Sequence, residues 1–180
     1  MHEASSAHLA LAELRLASGD LNHARRGLRR AILLTPGDAN AWRVLGEVEE
    51  RLGAKRRAAM CRRNQSDALK GIGDAAGAIE ALRRAQSLCP TSWSVRYRLA
   101  ELLHASGHGD EAVQGLSDLV GFVLHHKDVA SPSLRRHHLE KIEERLRAMG
   151  GLASSAAQAL GRAWAEVGET ARAVEIYRET

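Results

Sequence analysis

Residues 11–36 read LAELRLASGDLNHARRGLRRAILLTP, and this stretch decides the fold. It opens on Leu11 followed by the small residue Ala12. Gly19 interrupts it, apolar positions return at Ala24, Leu28 and Ala31, and Pro36 closes it. Leucine followed by a small residue describes a helix that a neighbour can approach closely. Glycine suits the left-handed position that ends a helix, because it has no Cβ. The i, i+4, i+7 stripe is one face of a second helix, and proline stops that helix. The stretch predicts two helices joined by a tight turn.

The same spacing recurs along the chain. Alanine follows glycine by five residues at Gly19/Ala24, Gly53/Ala58, Gly73/Ala78, Gly107/Ala112 and Gly168/Ala173. Two gaps, Gly19 to Gly53 and Gly73 to Gly107, are 34 residues, a period that marks stacked helix-pair units. Eight residues before the glycine stands Leu11, Leu45, Leu99 or Leu160, followed by Ala12, Gly46, Ala100 or Gly161. Nine after it stands Leu28, Leu82, Leu116 or Tyr177, and seventeen after it Pro36 or Pro90.

These residues resemble the tetratricopeptide repeat (TPR) family. The carriers are Trp42-x-x-Leu45-Gly46 with Gly53 and Ala58, Gly73 with Ala78, Leu82, Ala85 and Pro90, and the opening stretch itself. The resemblance implies an all-α fold, a right-handed TPR-like α-solenoid of antiparallel helix pairs. It also implies that first helices line a concave groove that binds peptides.

Two stretches depart from the period. Gly53 and Gly73 are only 20 apart, and Arg62 and Gln65 stand where leucine and alanine belong. One reading keeps a single repeat, with helices near 39–52 and 74–88, and treats 54–73 as an insertion at its turn. The other lets one helix serve two units. The first is preferred. The second departure is a surplus at 126–153. There His125 to Pro132 reads as a loop, and Ser133 is placed to cap a helix running to Met149. The expected organisation is one domain over 1–180. Repeat 1 covers 4–37, repeat 2 covers 38–90 and repeat 3 covers 91–125. A loop and an extra helix fill 126–153, and an incomplete repeat 4 covers 154–180.

Composition narrows the function. Hydrophobic residues make up 44% of the 180 but aromatics only 3%, so the core must be aliphatic. The net charge is +4, with acids interspersed among bases, which supports no more than a weak preference for acidic partners. No apolar run approaches the ~20 residues needed to span a bilayer. The N-terminus lacks a signal peptide's basic start and apolar run. Cys61 and Cys89 form no CxxC pair, so a reducing, cytoplasmic setting is expected. An uncapped solenoid end exposes apolar surface. The last unit therefore points to an excerpt of a longer protein, or to self-association through the C-terminal end.

No catalytic residue, metal site or cofactor is expected. His104/His108 flank helix-breaking glycines, and His125-His126 and His137-His138 are adjacent pairs, a poor chelate geometry on a helix. Nothing places a base beside either cysteine. Arginine doublets recur at 25–26, 29–30, 56–57, 62–63, 83–84 and 135–136. They fit a solvated outer face better than an RNA surface, because stacking aromatics are missing.

By resemblance, the exposed groove positions are Asn40, Arg43, Glu47, Ser94, Tyr97, Arg98, Glu101 and Arg162. Leu9 and Glu13 occupy two positions where some family members carry a carboxylate clamp, so that clamp is not supported. The expected function is a non-catalytic scaffold that binds a peptide or a partner helix. Two alternatives stay open: the repeat region of a larger bacterial sulfotransferase- or glycosyltransferase-type enzyme, and an RNA-binding α-solenoid using the arginine-rich face.

Overall fold

The computed structural model describes residues 2–125, 131–150, 152 and 154–179. Among these the regular structure is α-helical. The helices are α1 (His2–Ala17), α2 (Leu21–Leu34), α3 (Ala39–Arg51), α4 (Lys55–Gly71), α5 (Ala75–Leu88), α6 (Trp93–Ala105), α7 (Gly109–His125), α8 (Pro132–Ala148), α9 (Ser154–Glu166) and α10 (Thr170–Arg178). The chain divides into two compact units, 1–95 and 96–180.

The glycine signal resolves into one repeated local structure. Gly19 has φ +82°. Its N–H donates to Leu16 O at 3.2 Å, and the next N–H, of Asp20, reaches back to Arg15 O at 2.8 Å. That pair of bonds satisfies carbonyls that a helix end otherwise leaves without partners. The same two bonds recur at Gly53, Gly73, Gly107 and Gly168, all with positive φ. Aspartates then restart the chain: the Asp20, Asp38 and Asp74 carboxylates accept backbone N–H bonds at the N-termini of α2, α3 and α5. Pro36 and Pro90 follow the ends of α2 and α5, whereas Pro132 occupies the first turn of α8. Ser131, rather than the expected Ser133, caps α8 by accepting from Leu134 N at 3.3 Å. Residues 126–130 of the expected loop lie outside the described residues.

In the first unit, Ala12, Ala24, Leu28, Ala41, Val44 and Val48 form the centre of the core. Gly27 of α2 lies against α1 so closely that an added Cβ would stand 3.3 Å from Ala12 Cβ. The small residues seen in the sequence therefore set the helix separation.

Residues 54–73, expected as an insertion, form α4 between two identical glycine turns, and α4 packs against both α3 and α5. We read α3–α4 and α4–α5 as hairpins that share one helix. The physical reason lies in its buried positions. Ala58, Ala59, Cys61 and Ser66 are buried, and at about 100° per residue they spread over roughly half the circumference. Such a broad face of small side chains accepts two neighbours and shows no narrow stripe in the sequence.

Arg62, standing where leucine belongs, is only 15% exposed in its side chain. It lies along Gly46, where an added Cβ would meet Arg62 Nε at 3.1 Å. Its guanidinium donates to Glu50 Oε1 from Nε at 3.3 Å and Nη2 at 3.0 Å.

In the second unit, α8 packs against α7 and α9, and α9 pairs with α10. Leu116, Leu119, Leu139, Ile142, Leu146, Leu160, Trp164 and Ile176 are fully buried. Glu143 is buried among them. Its Oε2 accepts from Trp164 Nε1 at 2.8 Å and Arg172 Nε at 3.0 Å, and its Oε1 accepts from Arg147 Nε at 3.2 Å. The Arg172 guanidinium stacks over the Trp164 ring at 4.4 Å.

Candidate functional site

The expected groove residues fall on both units, and each unit is described by itself. On α3, Asn40, Arg43 and Glu47 recur at helical spacing and form one polar row. Asn40 Nδ2 donates to Glu13 Oε1 on α1 at 3.3 Å, and its Oδ1 accepts from Arg43 Nε at 3.0 Å. Arg43 lies 3.9 Å from Glu47, whose carboxylate accepts more closely from Arg51 at 2.8 Å. Arg51 in turn donates to the Leu16 carbonyl of α1 at 3.4 Å. The row crosses from one first helix to the next and leaves its side chains exposed or half-buried.

Glu13 and Arg51 were not among the expected groove residues. The i, i+4 spacing of Glu47 and Arg51 was a usable signal for the second. Glu13 is separated from Asn40 by 27 residues, and only the packing of α1 on α3 brings them together.

Ser94 is exposed at the start of α6, its hydroxyl 3.3 Å from that of Ser92. In the second unit, Tyr97 is half-buried. Burial pushes its hydroxyl above the usual tyrosine range, the Glu101 and Glu144 carboxylates add to this, and Arg145 opposes it. Tyr97 and Glu101 are thus brought together, one turn apart on α6. Arg98 is exposed on α6 and Arg162 on α9.

The arginine doublets are not a uniform cationic face. Arg29 and Arg57 meet Glu49, Arg62 and Arg84 meet Glu50, and Arg136 meets Glu140 and Glu169. Burial works to raise the Glu50 carboxyl, but hydrogen bonds from Arg84 and Arg62 outweigh it and hold the group below the usual glutamate range.

The two thiols differ. Cys61 is 2% exposed. Its thiol is pushed up to about 11 by burial and by the Glu49 carboxylate, against the pull of Arg62, Arg29 and Arg57. Thiolate is the reactive form, so at pH 8 Cys61 is expected to resist a disulfide reagent in the native chain. Half-buried Cys89 should react first, and the second equivalent should appear only on denaturation. Rapid titration of both thiols in the folded protein would contradict the buried position.

Family profiles described as tetratricopeptide repeat match residues 5–48 and 73–124. No curated protein matches the chain. The MamA protein structure is similar at 17% identity, over 99% of this chain and 90% of that one, with a TM-score of 0.38. A thermophilic TPR protein of Thermus thermophilus is 18% identical, over 97% of this chain and 99% of that one, with a TM-score of 0.37. YrrB, described as a TPR protein with an unusual peptide-binding site, is 16% identical over 94% and 80%, with a TM-score of 0.34.

Proposed function

The chain belongs to the tetratricopeptide repeat family, and we propose that it is a non-catalytic interaction module that binds a peptide or partner helix on the face of its first helices. The observation that carries this reading is the row Glu13–Asn40–Arg43–Glu47–Arg51. It presents alternating donors and acceptors across α1 and α3, already held in place by one another. A ligand that meets pre-oriented polar groups loses less ordering entropy on binding. An extended peptide can satisfy such a row with its own backbone and side chains. In the second unit, Tyr97, Arg98 and Glu101 offer a separate set of groove positions on α6. The engagement of Arg57, Arg62, Arg84 and Arg136 with carboxylates weighs against RNA as the partner.

The test is selection of a peptide from a displayed library on the whole chain, followed by affinity measurement on variants. For a peptide held by the α1–α3 row, Arg43→Glu and Asn40→Ala are each expected to weaken binding about ten-fold, some 1.4 kcal/mol; for one held on α6, Tyr97→Ala and Arg98→Glu are the corresponding variants. If none of the four alters binding, the first-helix face is not the site.

A further inference from the structure

At about 100° per residue, Asn40, Arg43 and Glu47 lie on one side of α3 while Trp42, Leu45 and Glu49 lie on the other. That opposite side opens on a cavity of about 410 Å³ between α2 and α4. The volume is in the range of small-ligand pockets, roughly 300–1,000 Å³. The walls are mostly apolar, and two of them are unusually open: Leu33 is 81% exposed and Met60 48%. At the rim, the buried Glu49 carboxylate is bonded by Arg57 at 2.8 Å, while Arg29 stands off at 3.9 Å and is 58% exposed. Two guanidiniums therefore meet one carboxylate.

The flanking helices are cationic as well. Helix α2 (LNHARRGLRRAILL) carries four arginines and no acid. Helix α4 (KRRAAMCRRNQSDALKG) carries six basic residues and the single acid Asp67.

We propose that this cavity is a second docking site, opposite the first-helix row, for a segment of a partner protein that presents an apolar side chain beside a carboxylate. The apolar side chain enters between Leu33 and Met60, and the carboxylate meets Arg29. Charge complementarity selects an acidic partner. The apolar walls select protein over RNA, because a phosphate backbone has nothing to fill them. The inference does not depend on the first-helix site, since the two surfaces share no side chain.

The test uses the whole chain and a fluorescein-labelled 14-residue amphipathic peptide of leucines and glutamates, with a lysine-for-glutamate version as control. Fluorescence anisotropy is expected to give a Kd below about 100 μM for the glutamate peptide. The lysine version should bind about ten-fold more weakly or not at all. Leu33→Gln and Arg29→Gln alter exposed side chains and should each weaken the glutamate peptide about ten-fold, whereas Arg43→Glu should leave it unchanged. Absence of binding, equal binding of the lysine version, or indifference to Leu33→Gln overturns the proposal. So does a single-stranded RNA that binds with the same indifference. A concentration-dependent dimer that Leu33→Gln dissociates would make a second copy of this chain the occupant and overturn it too.

Discussion

Replacing Glu143 with alanine is expected to destabilise the second unit by about 3 kcal/mol or more, as the loss of charged hydrogen bonds and the orphaning of a buried donor add together. Trp164 is fully buried, and its indole N–H has the Glu143 carboxylate as its acceptor. Removing the carboxylate leaves that donor without a partner inside the core. It also removes the bonds by which Arg172 of α10 and Arg147 of α8 meet at the same group, although Arg147 keeps its pair with Glu179. For a domain of this size, melting should fall by roughly 12 °C or more, at about 4–8 °C per kcal/mol near 60–100 residues. Glu143→Gln keeps an acceptor for the indole and should lose clearly less. Trp164→Phe removes the donor while leaving Glu143 both arginines, and should also lose less. Thermal and urea unfolding followed by circular dichroism measures all three. If Glu143→Ala melts within about 3 °C of the parent, less than 1 kcal/mol on the same scale, the network is not holding α8 to α9 and α10.

The first unit also has a buried carboxylate, and its partners are more exposed still. Glu49 is 2% exposed in its side chain, but its partners Arg57 and Arg29 are 52% and 58% exposed. Arg57→Ala strands a buried negative charge, and the cost is expected at about 2–3 kcal/mol. That lies below the roughly 3–5 typical of a broken buried pair, because Arg29 can close in from 3.9 Å. Glu49→Leu releases both guanidiniums to water and adds apolar packing beside the cavity, so it should be neutral to within about 1 kcal/mol. The double variant should resemble Glu49→Leu alone, a coupling that a double-mutant cycle reads directly. Urea unfolding midpoints decide it: a neutral Arg57→Ala together with a damaging Glu49→Leu would reverse the argument.

Much of the fold was legible because its signals are local. Each glycine turn closes through bonds spanning three and five residues, from Gly19 N to Leu16 O and from Asp20 N to Arg15 O. The candidate site was legible in part for the same reason. Asn40, Arg43 and Glu47 follow one another on a single helix, and the spacing alone aligns them. Glu13 could not be found this way, nor could the pocket, whose walls come from three helices and include the exposed apolar residues Leu33 and Met60. An exposed leucine in sequence looks like any other surface leucine; it acquires meaning only from what stands across from it.

The amino-acid sequence by itself determined the paired helices, their glycine turns, the small residues that allow close packing, and through them the repeat family. Those features depend on backbone bonds and side-chain sizes within a few residues. Tertiary packing decided that α4 lies between α3 and α5. It seated Arg62 against Gly46 and Glu50, placed an acceptor beside Trp164, and gave α3 a polar row on one side and an apolar pocket on the other. Those outcomes join residues 12, 16 or 21 positions apart, and their geometry exists only once helices have packed. A broad small-residue face such as that of α4 permits more than one neighbour, so its pairing is settled by the fit of whole helices rather than by any local pattern.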